Sequence, residues 1–257
     1  MSTALPNVES LASSKWIFRW NHGPHAKKRI FCFPWAGGGA LGYRPWADIL
    51  GNDVETCAIQ LPGREHRLRE EPITDLSELV TILVEEMDPL FDLPFYFFGH
   101  SLGSIIAFEL CRALRRSGKA QPNHLFVSAI SAPQAPMHQP LLHTMCDSDL
   151  LSEVTSFGGT PKAITNDAEM RALILKLMRA DFTILEKRNY CQEKPLDIGI
   201  TAFAFGDDHR AGAKDVSGWR DQTSKNFDMH ILPGGHFSLK EQDVRGQLLS
   251  EVLKRLD

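Results

Sequence analysis

The stretch Phe95-Tyr-Phe-Phe-Gly-His-Ser-Leu-Gly-Ser104 decides how the rest of the chain is read. An apolar run enters G-x-S-x-G directly, and Ser104–Arg116 continues with apolar residues at spacings of three and four, so the pattern predicts strand, tight turn, helix. That is the context of a nucleophile elbow, in which a serine on a strained strand-to-helix turn presents its hydroxyl. The glycines have a steric reason: side chains at Gly99 and Gly103 would collide with neighbouring backbone. Ser101 is therefore the candidate nucleophile. A chance match in a structural turn is the competing reading, and the strand and helix flanks weigh against it.

Outward from the elbow, short apolar runs alternate with longer amphipathic ones. Strands are predicted at Ile30–Phe33, Val54–Ile59, Phe95–Phe98, Leu125–Ile130, Ile198–Phe205 and Phe227–Leu232, with helices at Leu76–Leu90, Ser104–Arg116 and Val244–Leu256. Such alternation indicates a mostly parallel central sheet with helices on both faces, which together with the elbow gives an α/β-hydrolase fold. Trp16, Phe18 and Trp20 alternate with polar residues, as a half-buried edge strand does. From Pro133 to Tyr190 the alternation fails, and helical stretches such as Met170–Leu185 are separated by prolines and a Phe-Gly-Gly-Thr-Pro turn. That pattern predicts an inserted helical lid at about 133–190 within a single domain spanning 1–257.

A balance of 28 basic against 32 acidic residues gives no electrostatic reason to expect nucleic acid or an anionic membrane as partner. The 5 cysteines are scattered and include no CxxC pair, so neither a disulfide framework nor a zinc site is expected. The first thirty residues lack a continuous apolar core, and no apolar run reaches the roughly 18 residues of a membrane span. The expectation is a cytoplasmic monomer without metal or bound cofactor.

A serine hydroxyl is a weak nucleophile until a base takes its proton, and in this fold the chain order is Ser, then Asp or Glu, then His. His236, in Leu-Pro-Gly-Gly-His-Phe just after the last strand, can reach back over the carboxyl edge of the sheet, whereas His230 lies inside that strand and reads as structural. Asp207 and Asp208 both follow the strand Ile198–Phe205, and either can orient the imidazole. For the oxyanion, the N–H of Leu102 is one donor and the glycine-rich Phe33-Pro-Trp-Ala-Gly-Gly-Gly39 supplies the other, through Ala36 or Trp35. Trp35 and Phe237 are candidate substrate-lining residues, with plain packing as the alternative. Side chains of Leu173–Met178 read as helix core or as lining beneath the lid.

With these residues in place the sequence resembles the type II thioesterases, editing hydrolases of polyketide and nonribosomal peptide synthetases, and the related animal medium-chain thioesterase of fatty acid synthase. The resemblance rests on Phe33-Pro-Trp-Ala-Gly-Gly-Gly39, Leu61-Pro-Gly-Arg-Glu-His-Arg67 with Glu71-Pro72, Phe98-Gly-His-Ser-Leu-Gly103, Phe157-Gly-Gly-Thr-Pro161, Arg179-Ala-Asp-Phe182 and Gly234-Gly-His-Phe237. It implies Asp208 as the acid, standing ahead of Trp219 and Thr223. Gly206 is closer to that acid than in the family pattern, which keeps Asp207 in play. It also implies that acyl groups are hydrolysed from the phosphopantetheine thiol of acyl or peptidyl carrier protein domains.

Arg64, Arg67 and Arg69, set among Glu65, Glu70 and Glu71, are candidates to hold the pantetheine phosphate or an acidic carrier, against a mixed-charge solvated loop. Two roles compete, editing of a megasynthase and chain-terminating release of medium-chain fatty acids. A general carboxylesterase and a catalytically silent binding protein are the more distant readings.

Overall fold

The computed structural model describes residues 14–137, 139–158 and 167–256. Gly159-Thr-Pro161 of the Phe-Gly-Gly-Thr-Pro motif lie outside them. The strands are β1 (Ile17–Trp20), β2 (Lys28–Phe33), β3 (Val54–Ile59), β4 (Phe95–His100), β5 (His124–Ser128), β6 (Gly199–Phe205) and β7 (Phe227–Leu232). They form one 7-stranded sheet in the order β1-β3-β2-β4-β5-β6-β7. Every pairing is parallel except that of β1, which runs antiparallel along β3 at one edge with Ile17 opposite Ile59.

The central strands are largely apolar on both faces because both are covered. In β2, Phe31 and Phe33 point to one face and Ile30 and Cys32 to the other; in β4, Phe95 and Phe97 oppose Tyr96 and Phe98. The first face is covered by α2 (Leu76–Met87) and α3 (Leu102–Arg116), the second by α1 (Arg44–Leu50) and α7 (Gln242–Leu256). Phe31, Phe33, Phe97 and Phe98 are fully buried, each contributing on the order of 1.5–3 kcal/mol of transfer free energy. Asp75 caps α2 by accepting from the Glu78 N–H at 2.8 Å, which fixes where that helix begins.

The chain moves from β2 outward to β3 and then back across β2 to β4, so the order of connection reverses between β2 and β4. A cleft opens at the carboxyl ends of strands flanking such a reversal. There the β2 strand delivers Phe33 and the glycine-rich loop, and β4 delivers His100 and Ser101.

Between β5 and β6 the chain leaves the sheet through a 3-10 turn at Leu142–Thr144, α4 (Asp147–Ser156) and α5 (Ala168–Glu186). Leu142, Leu150, Val154, Leu175, Met178 and Phe182 form a small core of their own there. Between β6 and β7 lies the short α6 (Ala213–Ser217). The β5 strand ends at Ser128, two residues before the expected boundary, because Ala129 takes φ 55° and turns out of the sheet. No helix among the described residues is long and apolar enough to cross a membrane.

Candidate active site

Ser101 stands between β4 and α3 with φ 53° and ψ −120°. For a residue with a Cβ that left-handed conformation costs about 1–3 kcal/mol and persists only where the surroundings impose it. Here they do. Ser101 N–H donates to the Ser128 carbonyl at 2.8 Å, the Ser101 carbonyl accepts from Ser104 N–H at 2.9 Å, and Ser104 Oγ donates to the Gly99 carbonyl at 2.8 Å. A Cβ on Gly99 would come within 2.3 Å of the Ser104 nitrogen, and one on Gly103 within 2.0 Å of the Phe33 carbonyl oxygen. Both elbow glycines are thus forced by backbone contact, and α3 sits hard against the end of β2.

Across the cleft, His236 Nδ1 is 2.8 Å from Asp208 Oδ2. The other oxygen of Asp208 accepts from the backbone N–H groups of Arg210 at 2.9 Å and Ala211 at 3.3 Å. Burial pushes the Asp208 carboxyl up, but the bond and charge of His236 and the two amides outweigh it and hold the group below the usual carboxylate range. Asp208 is buried, whereas the Asp207 side chain is exposed and its N–H donates to the Gly234 carbonyl at 2.9 Å. The structure therefore pairs His236 with Asp208 and not with Asp207. His230, read as structural, lies on β7, with its ring stacked on Phe203.

Ser101, His236, Ala36 and Phe237 line one cavity. Ala36 belongs to the loop after β2, whose shape is set from within: Gly38 N–H donates to the Trp35 carbonyl at 2.8 Å and Gly37 N–H to Asp181 Oδ2 at 2.7 Å. Those bonds occupy the amides of Gly37 and Gly38 and leave those of Trp35 and Ala36 without a protein acceptor among the described residues. Leu102, the first residue of α3, is buried beside Ser101. Trp35 was expected against the substrate, but it is not among the cavity-lining residues. It is wedged between Tyr43, His100 and Phe237, with Lys240 Nζ 4.8 Å from its ring centroid, and Gly38 and Gly42 are glycines because a Cβ at either would strike its indole.

The arginines of Leu61-Pro-Gly-Arg-Glu-His-Arg67 turn inward, which overturns the expectation that Arg64 and Arg67 hold a phosphate. Arg64 is 4% exposed and makes a bidentate bridge to Asp181, with Nη1 and Nη2 each 2.8 Å from a carboxylate oxygen, while Nη1 also donates to the Gly38 carbonyl at 3.1 Å. Arg67 lies 3.9 Å over the Trp16 ring and bonds Glu70 and the Gln60 carbonyl. Arg69 alone of the three is exposed. Asp181, which no sequence reading assigned a role, thus ties α5 to the loop carrying Ala36. Its signal was present in the chain: a carboxylate on the apolar stripe of α5, between Met178 and Leu185.

The cavity wall also contains Ala129, Phe157, Met178, Arg188 and Arg210, none assigned with certainty from sequence. Met178, read either as helix core or as lining, does both. His100 is buried with Nδ1 3.0 Å from Ser128 Oγ; burial, reinforced by the neighbouring His236, drives its pKa well below the ordinary imidazole value, so it stays neutral.

The thioesterase domain model matches residues 28–256. The gramicidin S biosynthesis protein GrsT of Aneurinibacillus migulanus is 40% identical over 228 residues, covering 89% of each chain. The medium-chain S-acyl fatty acid synthase thioesterase of Rattus norvegicus is 34% identical, covering 100% of this chain and 98% of its own. Among solved structures, the RedJ thioesterase of the prodiginine pathway in Streptomyces coelicolor superposes with a TM-score of 0.84 at 34% identity, covering 90% of this chain and 91% of the other.

Proposed function

The chain belongs to the thioesterase domain family, and on that premise we propose that it hydrolyses acyl groups from the phosphopantetheine arm of carrier protein domains, as an editing enzyme of a polyketide or nonribosomal peptide synthetase. The observation that carries the reading is the Asp208–His236 pair, 2.8 Å apart, whose imidazole shares a cavity with an elbow serine. The kinship with GrsT and RedJ supports the biosynthetic setting.

In this mechanism Ser101 Oγ attacks the thioester carbonyl while His236 Nε2 accepts the hydroxyl proton. Asp208 holds the ring in the required tautomer and stabilises its cation. The oxyanion is held by the N–H groups of Leu102 and Ala36, the latter favoured over Trp35 because Ala36 faces the cavity. The carbon–sulfur bond then breaks and the imidazolium returns its proton to the departing thiolate. Water, deprotonated by the same imidazole, attacks the acyl-serine and releases the acid. The helices α4 and α5 act as a lid over the acyl group, and Phe237 contributes to its wall. All of this uses the chain's own groups, the phosphopantetheine arriving with the substrate.

The test compares turnover of carrier-protein thioesters with matched oxygen esters, alongside fluorophosphonate labelling of wild type and Ser101→Ala. Faster turnover of the oxygen esters would refute the assignment, and labelling of Ser101→Ala equal to wild type would remove the nucleophile. The full-length match to the rat medium-chain enzyme favours fatty acid release as the second reading. A carrier panel from acetyl to palmitoyl separates the two: a sharp optimum at medium length supports release, a short or broad one editing.

A further inference from the structure

The cavity that holds Ser101 and His236 also receives two guanidinium groups for which the serine chemistry has no use. Arg188 follows the end of α5 and Arg210 stands two residues after Asp208; both line the cavity. The Arg210 guanidinium carbon is 4.7 Å from the centroid of the Phe157 ring, and that ring is 6.5 Å from the His236 ring. This cation and the base are thus neighbours of the same phenyl ring. Arg188 donates from Nη1 to the Leu185 carbonyl at 2.5 Å and the Met137 sulfur at 3.1 Å, while its Nε is buried with no acceptor.

Among the described residues neither guanidinium has a carboxylate within ion-pairing distance. The acid in the cavity wall, Glu186, is near enough for its charge to favour both cations, but its oxygens are already bonded: the carboxylate accepts from the N–H groups of Leu142 and His143 at 2.9 Å and meets His143 Nδ1 at 2.7 Å. Burial lowers Arg188 to about 10 and moves Arg210 in the same direction, the mark of incomplete solvation, while a guanidinium stays cationic at neutral pH. A half-desolvated cation facing an apolar cavity is costly unless an anion meets it when the site fills.

We propose that this thioesterase prefers acyl groups bearing a carboxylate at the end remote from the thioester, and that Arg188 and Arg210 bind that carboxylate. The proposal rests on the thioesterase reading above and specifies its substrate class. The pantetheine phosphate is the other anion the substrate carries. It lies the full length of the arm from the sulfur, whereas Arg210 and the imidazole neighbour the same Phe157 ring.

The experiment uses N-acetylcysteamine thioesters, which contain no phosphate, in matched pairs: glutaryl against pentanoyl and adipyl against hexanoyl. With wild-type protein, the carboxyacyl member of each pair should have the higher kcat/KM by about tenfold to a hundredfold, the range of a charge-assisted hydrogen bond. R188M and R210M should collapse that ratio, and R188K should restore part of it. A readout on wild type alone guards against misfolded variants: glutaramate, an amide at one end and a carboxylate at the other, should protect Ser101 from a fluorophosphonate probe at lower concentration than pentanamide does. Alkyl thioesters turned over as fast as their carboxyacyl partners, with no advantage of glutaramate in protection, would overturn the proposal and leave the thioesterase reading standing. Hydrolysis of neither series, with carrier thioesters also inert, would overturn both. Loss of rate in R210M on carrier thioesters of both series, with none on the phosphate-free ones, would assign the arginines to the arm and overturn it too.

Discussion

Replacing Asp181 with alanine should lower both the stability of the fold and the rate of catalysis, and the size of the first effect follows from its contacts. Asp181 is fully buried and neutralises Arg64, which is 4% exposed, through two bonds of 2.8 Å. Removing one partner strands the other charge, at a cost of about 3–5 kcal/mol. The Gly37 N–H also loses its acceptor, but Gly37 is exposed and water can replace it, so little is added. For a chain of this size a loss of 1 kcal/mol lowers Tm by about 2–4 °C, giving a fall of roughly 6–20 °C. Arg64→Met should cost a similar amount. The double variant Arg64→Met/Asp181→Ala should be less destabilised than the sum of the singles by at least about 2 kcal/mol, since it buries no unpaired charge. Urea unfolding followed by circular dichroism measures all four corners of that cycle, and kcat on an acyl thioester reads the loop. An Asp181→Ala variant within about 1 kcal/mol of wild type, or strict additivity in the double variant, would refute the reasoning.

Gly103→Ala should be unable to keep the native elbow, because its Cβ would stand 2.0 Å from the Phe33 carbonyl oxygen; soluble variant with wild-type Tm would contradict that. Asp208→Asn should reduce kcat by about 10⁴-fold through the wrong imidazole tautomer, while Asp207→Ala should stay within about tenfold of wild type; steady-state kinetics on one thioester distinguishes them, and a reversed order would reassign the acid. Cys32, Cys57 and Cys111 are buried, and burial raises the pKa of each above the ordinary thiol value, whereas Cys146 and Cys191 are exposed. A raised pKa means less thiolate at any given pH, so native protein at pH 9 should be alkylated at Cys146 and Cys191 and at the other three only after unfolding, as peptide mass mapping would show.

The sheet was legible because strands covered on both faces are largely apolar: β2 to β6 fall within two residues of their expected boundaries, and the half-buried edge strand β7 falls on its own. The elbow was legible because backbone collisions at Gly99 and Gly103 leave no other residue type. What composition and spacing do not encode is the direction in which a long polar side chain turns. Arg64 and Arg67 sit in a run of charges that reads as solvated, yet the chain folds them under Trp16 and α5, where Asp181, more than a hundred residues later, completes the pair. Trp35 escaped for a related reason. Gly38 lies in the glycine-rich stretch read as an oxyanion-donor loop, yet it and Gly42 are clearance for the indole. Arg188 and Arg210 carry no periodic signal at all, since each follows a regular element and is aimed by the turn it occupies.

The clamp between Arg64, Asp181 and Gly37 ties a covering helix to a catalytic loop, and this constrains how the enzyme can work. In the proposed mechanism, displacing α5 to admit an acyl chain would pull on the loop whose amide is to steady the oxyanion. Admission and readiness for bond cleavage would then be mechanically geared together, so a molecule with its cover raised would also be one with its charge-stabilising cradle slackened. Such gearing would spare a loaded acyl-serine from forming or turning over before the chain is fully seated.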